Sequence, residues 1–82
     1  SVLRYEPEKA LFAGKKGLDI IKKFLKEAKK YLKPGGTIFM EFDPRQKKDI
    51  ENILKKEGYK NHQFFKDQFN QWRWLKSAYP QP

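Results

Sequence analysis

The run Tyr31-Leu32-Lys33-Pro34-Gly35-Gly36-Thr37-Ile38-Phe39-Met40-Glu41 constrains this chain more than any other stretch. Before it, Leu18, Ile21, Leu25, Ala28 and Leu32 recur at helical spacing. Ile20, Phe24 and Tyr31 widen the apolar stripe, while Lys22, Lys23, Lys26, Glu27, Lys29 and Lys30 take the other side. The lysines sit favourably toward the C-terminal end, where the helix dipole is negative. Pro34 lacks a backbone donor and stops a helix, and the glycines after it allow a sharp reversal. Thr37 to Phe42 then has the β-branched and aromatic character of a strand. So short a helix-to-strand junction predicts an α/β fold in which the helix lies on the sheet that the next strand joins.

A second helix is signalled just after that strand. Asp43 is suited to the N-cap, Pro44 to the first position, and Gln46 stands three residues after the cap. Ile50, Ile53 and Leu54 would face inward, and Gly58 would close the helix. His62 to Asp67 and Gln71 to Lys76 read as a hairpin around Gln68-Phe69-Asn70. Strand alternation puts Trp72 and Trp74 on one face and Arg73 on the other.

Eighty-two residues with 38% hydrophobic and 16% aromatic content suit one small folded core. With no cysteine, disulfides and thiolate metal sites are excluded, and a zinc site is not expected beside a single histidine. No apolar run approaches the roughly 18 residues that span a bilayer, and no signal-peptide pattern is present, so a soluble, cytoplasmic protein is expected. The chain does not begin with methionine, which reads as processing or excision from something longer.

The net charge of +9 arises from 19 basic and 10 acidic residues. Such a field attracts polyanions. All the basic residues except Arg4, Arg45 and Arg73 are lysines, most of them on the expected outward faces of the helices, which is also a common compositional habit. Tyr59-Lys60, Phe64-Phe65-Lys66 and Trp72-Arg73-Trp74 interleave rings and cations. Lys66, Trp72, Arg73 and Trp74 are therefore candidates for nucleic-acid binding, against the alternative that the rings pack a hairpin under a helix. No catalytic constellation emerges, since His62 has no acid spaced to orient it. Glu41 falls at the carboxyl end of its strand, where open α/β sheets hold ligands. Gly14, Gly17, Gly35 and Gly36 lack the spacing of a phosphate loop and read as turn residues.

Tyr5-Glu6-Pro7-Glu8-Lys9-Ala10-Leu11-Phe12-Ala13-Gly14, then Gly17-Leu18-Asp19, a helix, Leu32-Lys33-Pro34-Gly35-Gly36 and Glu41 follow in an order that resembles the HemK/PrmC family. These are S-adenosylmethionine-dependent methyltransferases that modify a glutamine of translation release factors. Gln46, Lys66-Asp67 and Arg73 extend the likeness to about Lys76. Glu-Pro-x-x-Ala-Leu is its more specific element, whereas Leu-x-Pro-Gly-Gly is common to many class I methyltransferases. Asp43-Pro44 and Asn70 stand where the family often has glycine.

The resemblance implies an α/β fold, the C-terminal portion of a class I methyltransferase (Rossmann-like) fold. The expected architecture is a three-stranded mixed sheet with two main helices over residues 1–76, and a flexible tail at 77–82. The strand Gln71–Lys76 would lie antiparallel between Thr37–Phe42 and His62–Asp67. The family's glycine-rich cofactor loop, its acidic cofactor ligand and its Asn-Pro-Pro-Tyr motif all belong upstream of the matched stretch. The resemblance therefore implies a segment that binds no S-adenosylmethionine and transfers no methyl group alone. Such a segment would complete the sheet and wall the substrate pocket, with Glu6, Pro7 and Glu41 as pocket candidates. It also implies a missing N-terminal partner segment, and a release factor as the family's substrate. The edge of Thr37–Phe42 would stand open and invite self-association, unless Val2–Tyr5 folds back to cover it. A small basic module for RNA or the ribosome is the alternative.

Overall fold

A computed structural model describes residues 2–5 and 14–79. Its elements run β1 (Val2–Tyr5), α1 (Gly14–Ala28), β2 (Thr37–Glu41), α2 (Lys47–Lys56), β3 (Lys60–Lys66) and β4 (Trp72–Ala78). The expected α/β arrangement is present, with β4 antiparallel between β2 and β3. The sheet nevertheless has four strands, in the order β1-β2-β4-β3, rather than three.

The extra strand is β1, which pairs parallel to β2 with Val2 opposite Thr37 and Tyr5 opposite Met40. Of the two alternatives for the edge of Thr37–Phe42, an open edge or one covered by Val2–Tyr5, the second is present, so self-association through that edge would have to displace β1. The physical reason lies in β1 itself. Leu3 and Tyr5 pack against the core, and the Tyr5 ring stacks on Phe24 of α1 at 4.9 Å. A short strand with two anchors on the buried face satisfies the backbone of β2 without a second chain.

The helix–strand junction forms as its sequence dictates. Gly36 N–H donates to the Lys33 carbonyl at 2.7 Å, with Gly35 at φ +77°. Proline second and glycine third in that four-residue turn is the signature of type II. The helix before it stops at Ala28 rather than continuing to Leu32. Lys30 and Tyr31 donate to the carbonyls three residues back, tightening the last turn and turning Tyr31 out to solvent. Lys29 instead reaches across to Glu57, its Nζ 2.7 Å from the carboxylate.

Asp43 caps a short 3-10 turn, Pro44–Gln46, that feeds α2. Its carboxylate accepts from Arg45 N–H, while Gln46 Oε1 accepts from Asp43 N–H at 3.1 Å. The other end of α2 closes with Gly58 at φ +88°. Tyr59 N–H donates to Leu54 and Gly58 N–H to Lys55, the paired bonds of a Schellman cap.

Both helices bury their stripes on one face of the sheet. Ile21, Leu25, Ile50 and Leu54 meet Ile38, Met40, Phe42 and Leu75, all essentially without solvent contact. Tyr59 is buried with them, and its hydroxyl donates to the Leu25 carbonyl. The C-terminal stretch differs from the expected tail: Ser77 and Ala78 continue β4, the Ser77 hydroxyl donates to Lys60, and Tyr79 packs edge-on against Tyr59 at 5.4 Å.

Candidate functional site

The face of the sheet opposite the helices carries a groove of about 520 Å³ lined by Arg4, Tyr5, Phe39, Glu41, Phe65 and Trp74. Strand alternation builds it. Ile38, Met40 and Phe42 point into the core, so Phe39 and Glu41 point the other way. Trp74 is opposite Glu41 in β4 and Phe65 is opposite Trp74 in β3, which extends the aromatic wall across the sheet. The Phe39 and Trp74 rings lie 6.3 Å apart, and the Arg4 guanidinium sits 5.6 Å from the Phe39 centroid. Glu41 brings a carboxylate to this apolar surface at the carboxyl end of β2, where open α/β sheets hold ligands. Tyr5 only borders the groove at the end of β1, because its ring packs on Phe24 on the helix side, where burial raises the pKa of its phenol. Chemically, the groove offers ring faces for a flat or apolar group with one anion and one cation at its rim.

Of the residues proposed from sequence, Glu41 and Trp74 come together here. Glu6 and Pro7 lie outside the described residues, directly after Tyr5 in the chain. Arg4, Tyr5, Phe39 and Phe65 were missed as lining residues. Period-two alternation about the apolar Ile38 and Met40 was the signal that could have found Phe39.

Trp72, Arg73 and Lys66 belong to a different environment. Lys66 pairs with Trp72 while Phe65 pairs with Trp74, so the register shifts there and Arg73 is the extra residue of a bulge. That bulge separates Trp72 from Trp74, correcting the simple alternation. Trp72 lies edge-on to Phe64, with Lys47 and Lys66 ammonium groups 5.0 and 4.7 Å from its ring. Trp74 faces the groove instead. The Arg73 Nε donates to Asp67 at 3.1 Å, fastening the hairpin. Burial alone would oppose ionisation of Asp67. The backbone N–H groups of Gln71 and Phe69, with Arg73, outweigh it and hold the carboxyl below its ordinary range. His62 Nε2 lies 3.0 Å from the Tyr59 carbonyl, a local strand contact.

Among the described residues no group of three His, Cys, Asp or Glu is arranged to hold a metal, and no helix is long and apolar enough to cross a membrane.

Sequence comparison bears directly on this architecture. The chain is similar, over most of its length, to one part of release factor glutamine methyltransferases. It is 40% identical to that of Clostridium acetobutylicum over 63 residues, 77% of this chain and 22% of the relative. It is 37% identical to that of Deinococcus radiodurans over 57 residues, 70% of this chain and 20% of the relative. A bifunctional methyltransferase of Rickettsia conorii shares 37% over 65 residues, 79% of this chain and 12% of the relative. The chain thus spans about a fifth or less of the length of these curated relatives. No family model matches it, and no solved structure matches it.

A glycine loop that cradles a cofactor such as S-adenosylmethionine follows a strand. Of the described glycines with left-handed φ, Gly35 sits in the turn that leads into β2 and Gly58 closes α2. The groove supplies rings and one carboxylate but no such backbone cradle.

Proposed function

We propose that this chain is the C-terminal segment of a release factor glutamine methyltransferase of the HemK/PrmC type. In that reading it completes the sheet and walls the substrate pocket, in a soluble cytoplasmic enzyme. The observation that carries the reading is the pairing of 36–41% identity to such relatives with a sheet whose second face is, among the described residues, uncovered and aromatic. Parallel strand pairing, as between β1 and β2, is ordinarily found in sheets covered by helices on both faces. Here both described helices cover the same face. Phe39, Phe65 and Trp74 form the surface on which an upstream segment would dock, and Glu41, together with Glu6 and Pro7, would border the glutamine pocket.

The cofactor and the reacting amide are then held by that upstream segment. There S-adenosylmethionine would supply the methyl group, which would pass from its sulfonium sulfur to the amide nitrogen with release of S-adenosylhomocysteine and loss of the amide proton to solvent, positioning supplying much of the acceleration. Calorimetric titration of S-adenosylmethionine into the 82-residue chain, followed by a methylation assay on a release factor, tests this. No heat and no methylated glutamine are expected; saturable micromolar binding would overturn the division of labour.

A further inference from the structure

A second surface, remote from the aromatic groove, points to a different ligand. The outer sides of α1 and α2 border a depression of about 360 Å³ lined by Lys22, Lys23, Lys26, Ile53, Lys56 and Glu57. Ile53 forms its buried floor, and all four lysines are exposed. The single carboxylate at the rim is already engaged, because Glu57 is bonded to Lys29 at 2.7 Å. That bond, aided by neighbouring lysines, also outweighs burial and holds Glu57 below its ordinary pKa range. The nearest other acids on α1 are Asp19, one turn before Lys22 and Lys23, and Glu27, about 100° round the helix from Lys26.

The packing of the two helices explains why the charges converge. Lys22, Lys23 and Lys26 occupy adjacent positions on α1, and Lys56 joins them from the last turn of α2. A sphere of that volume has a radius of roughly 4–5 Å, well inside the Debye length of about 8 Å at physiological salt. The four ammonium groups therefore act on one incoming anion together. A competing surface beside α2, around Arg45, Lys47, Lys48 and Lys55, is weaker. Arg45 is committed to Asp43 at 2.8 Å and Lys47 to Glu51 at 2.9 Å.

We propose that the α1–α2 groove is a binding site for the phosphate backbone of RNA. Lysines without arginine give point charges suited to phosphate but little base readout, so the binding is sequence-tolerant. The overall +9 charge extends the attraction beyond the groove, which favours a long polyanion over a compact acidic patch. This inference does not depend on the methyltransferase reading.

The test is fluorescence anisotropy of a labelled single-stranded RNA 20-mer, titrated with the chain from 50 to 200 mM salt. Each phosphate contact contributes a slope of about 0.7 in log affinity against log salt. Removing four contacts should flatten the slope by about 3, which erases about 50-fold of the affinity change over that range. The variant is K22A/K23A/K26A/K56A, with its circular dichroism matching the parent. The control is K48A/K55A/K60A/K76A, which removes equal charge elsewhere and should retain most of the slope. Equal losses in both variants would overturn the proposal and leave general charge attraction. Displacement of the RNA by polyglutamate at equal charge concentration would also overturn it, in favour of an acidic protein partner.

Discussion

Replacing Tyr59 by phenylalanine isolates one hydroxyl at the centre of the fold. Tyr59 is 2% exposed, and its hydroxyl donates to the Leu25 carbonyl. Leu25 is among the last four residues of α1, whose carbonyls lack partners within the helix. The hydroxyl therefore ties the end of α1 to the junction between α2 and β3. Its removal costs a hydrogen bond and leaves a buried acceptor unsatisfied, about 2 kcal/mol at neutral pH. For a domain of this size that corresponds to a fall of roughly 10 °C in Tm. A pH signature accompanies it. Burial first, then Glu57 and Tyr79, raise the Tyr59 pKa well above its ordinary value of 10.0. A raised phenol pKa contributes stability that is intact below pH 10 and lost as pH climbs toward the folded-state value. Urea unfolding from pH 7 to 12 should thus show the Tyr59→Phe deficit narrowing by roughly 1 kcal/mol per pH unit above pH 10. Parallel parent and variant curves, with a neutral-pH difference below about 0.5 kcal/mol, would refute the buried bond.

Three further changes probe the turns. Gly58→Ala should cost about 1 kcal/mol in chemical denaturation. An added Cβ would meet only Tyr79 at 3.8 Å, so the cost is that of the left-handed backbone at φ +88°. Asn70→Gly, at φ +62° in the hairpin, should stabilise by about 0.5 kcal/mol, read as a higher urea midpoint. Asp43→Ala should lose about 1–2 kcal/mol at pH 7. The Arg45 guanidinium bonded to Asp43 holds its carboxyl below the ordinary 3.8 against the opposing effect of burial. That stability is present above pH 4 and lost as pH falls, so the variant's acid unfolding limb should be shallower than the parent's.

Elements governed by local chemistry were legible in the sequence. Pro34-Gly35-Gly36 made its turn, Asp43 and Gln46 made their reciprocal cap, and Gly58 closed α2, because each depends on residues within a few positions. Elements decided by distant partners were not. The four residues of β1 look unremarkable until Leu3 and Tyr5 find the core beside α1. The bulge at Arg73 arises from a register shift against β3, which periodicity within β4 does not carry. The same limit applies to the two surfaces. Glu41 was visible as a strand-end carboxylate, and the lysines were visible as a helix face. Their assembly with Trp74 and Arg4, or with Lys56 across a groove, requires the sheet order and helix packing.

The most direct measurement of the central claim is a graft. The stretch of the Clostridium acetobutylicum release factor glutamine methyltransferase that aligns with this chain would be replaced by the 82 residues. The hybrid would then be assayed for S-adenosylmethionine-dependent methylation of a release factor glutamine, beside the 82-residue chain alone. The account predicts methylation by the hybrid, its loss on Trp74→Asp or Phe39→Asp at the docking face, and none by the chain alone. A hybrid that folds and binds the cofactor but methylates nothing, or a chain that methylates unaided, would contradict it.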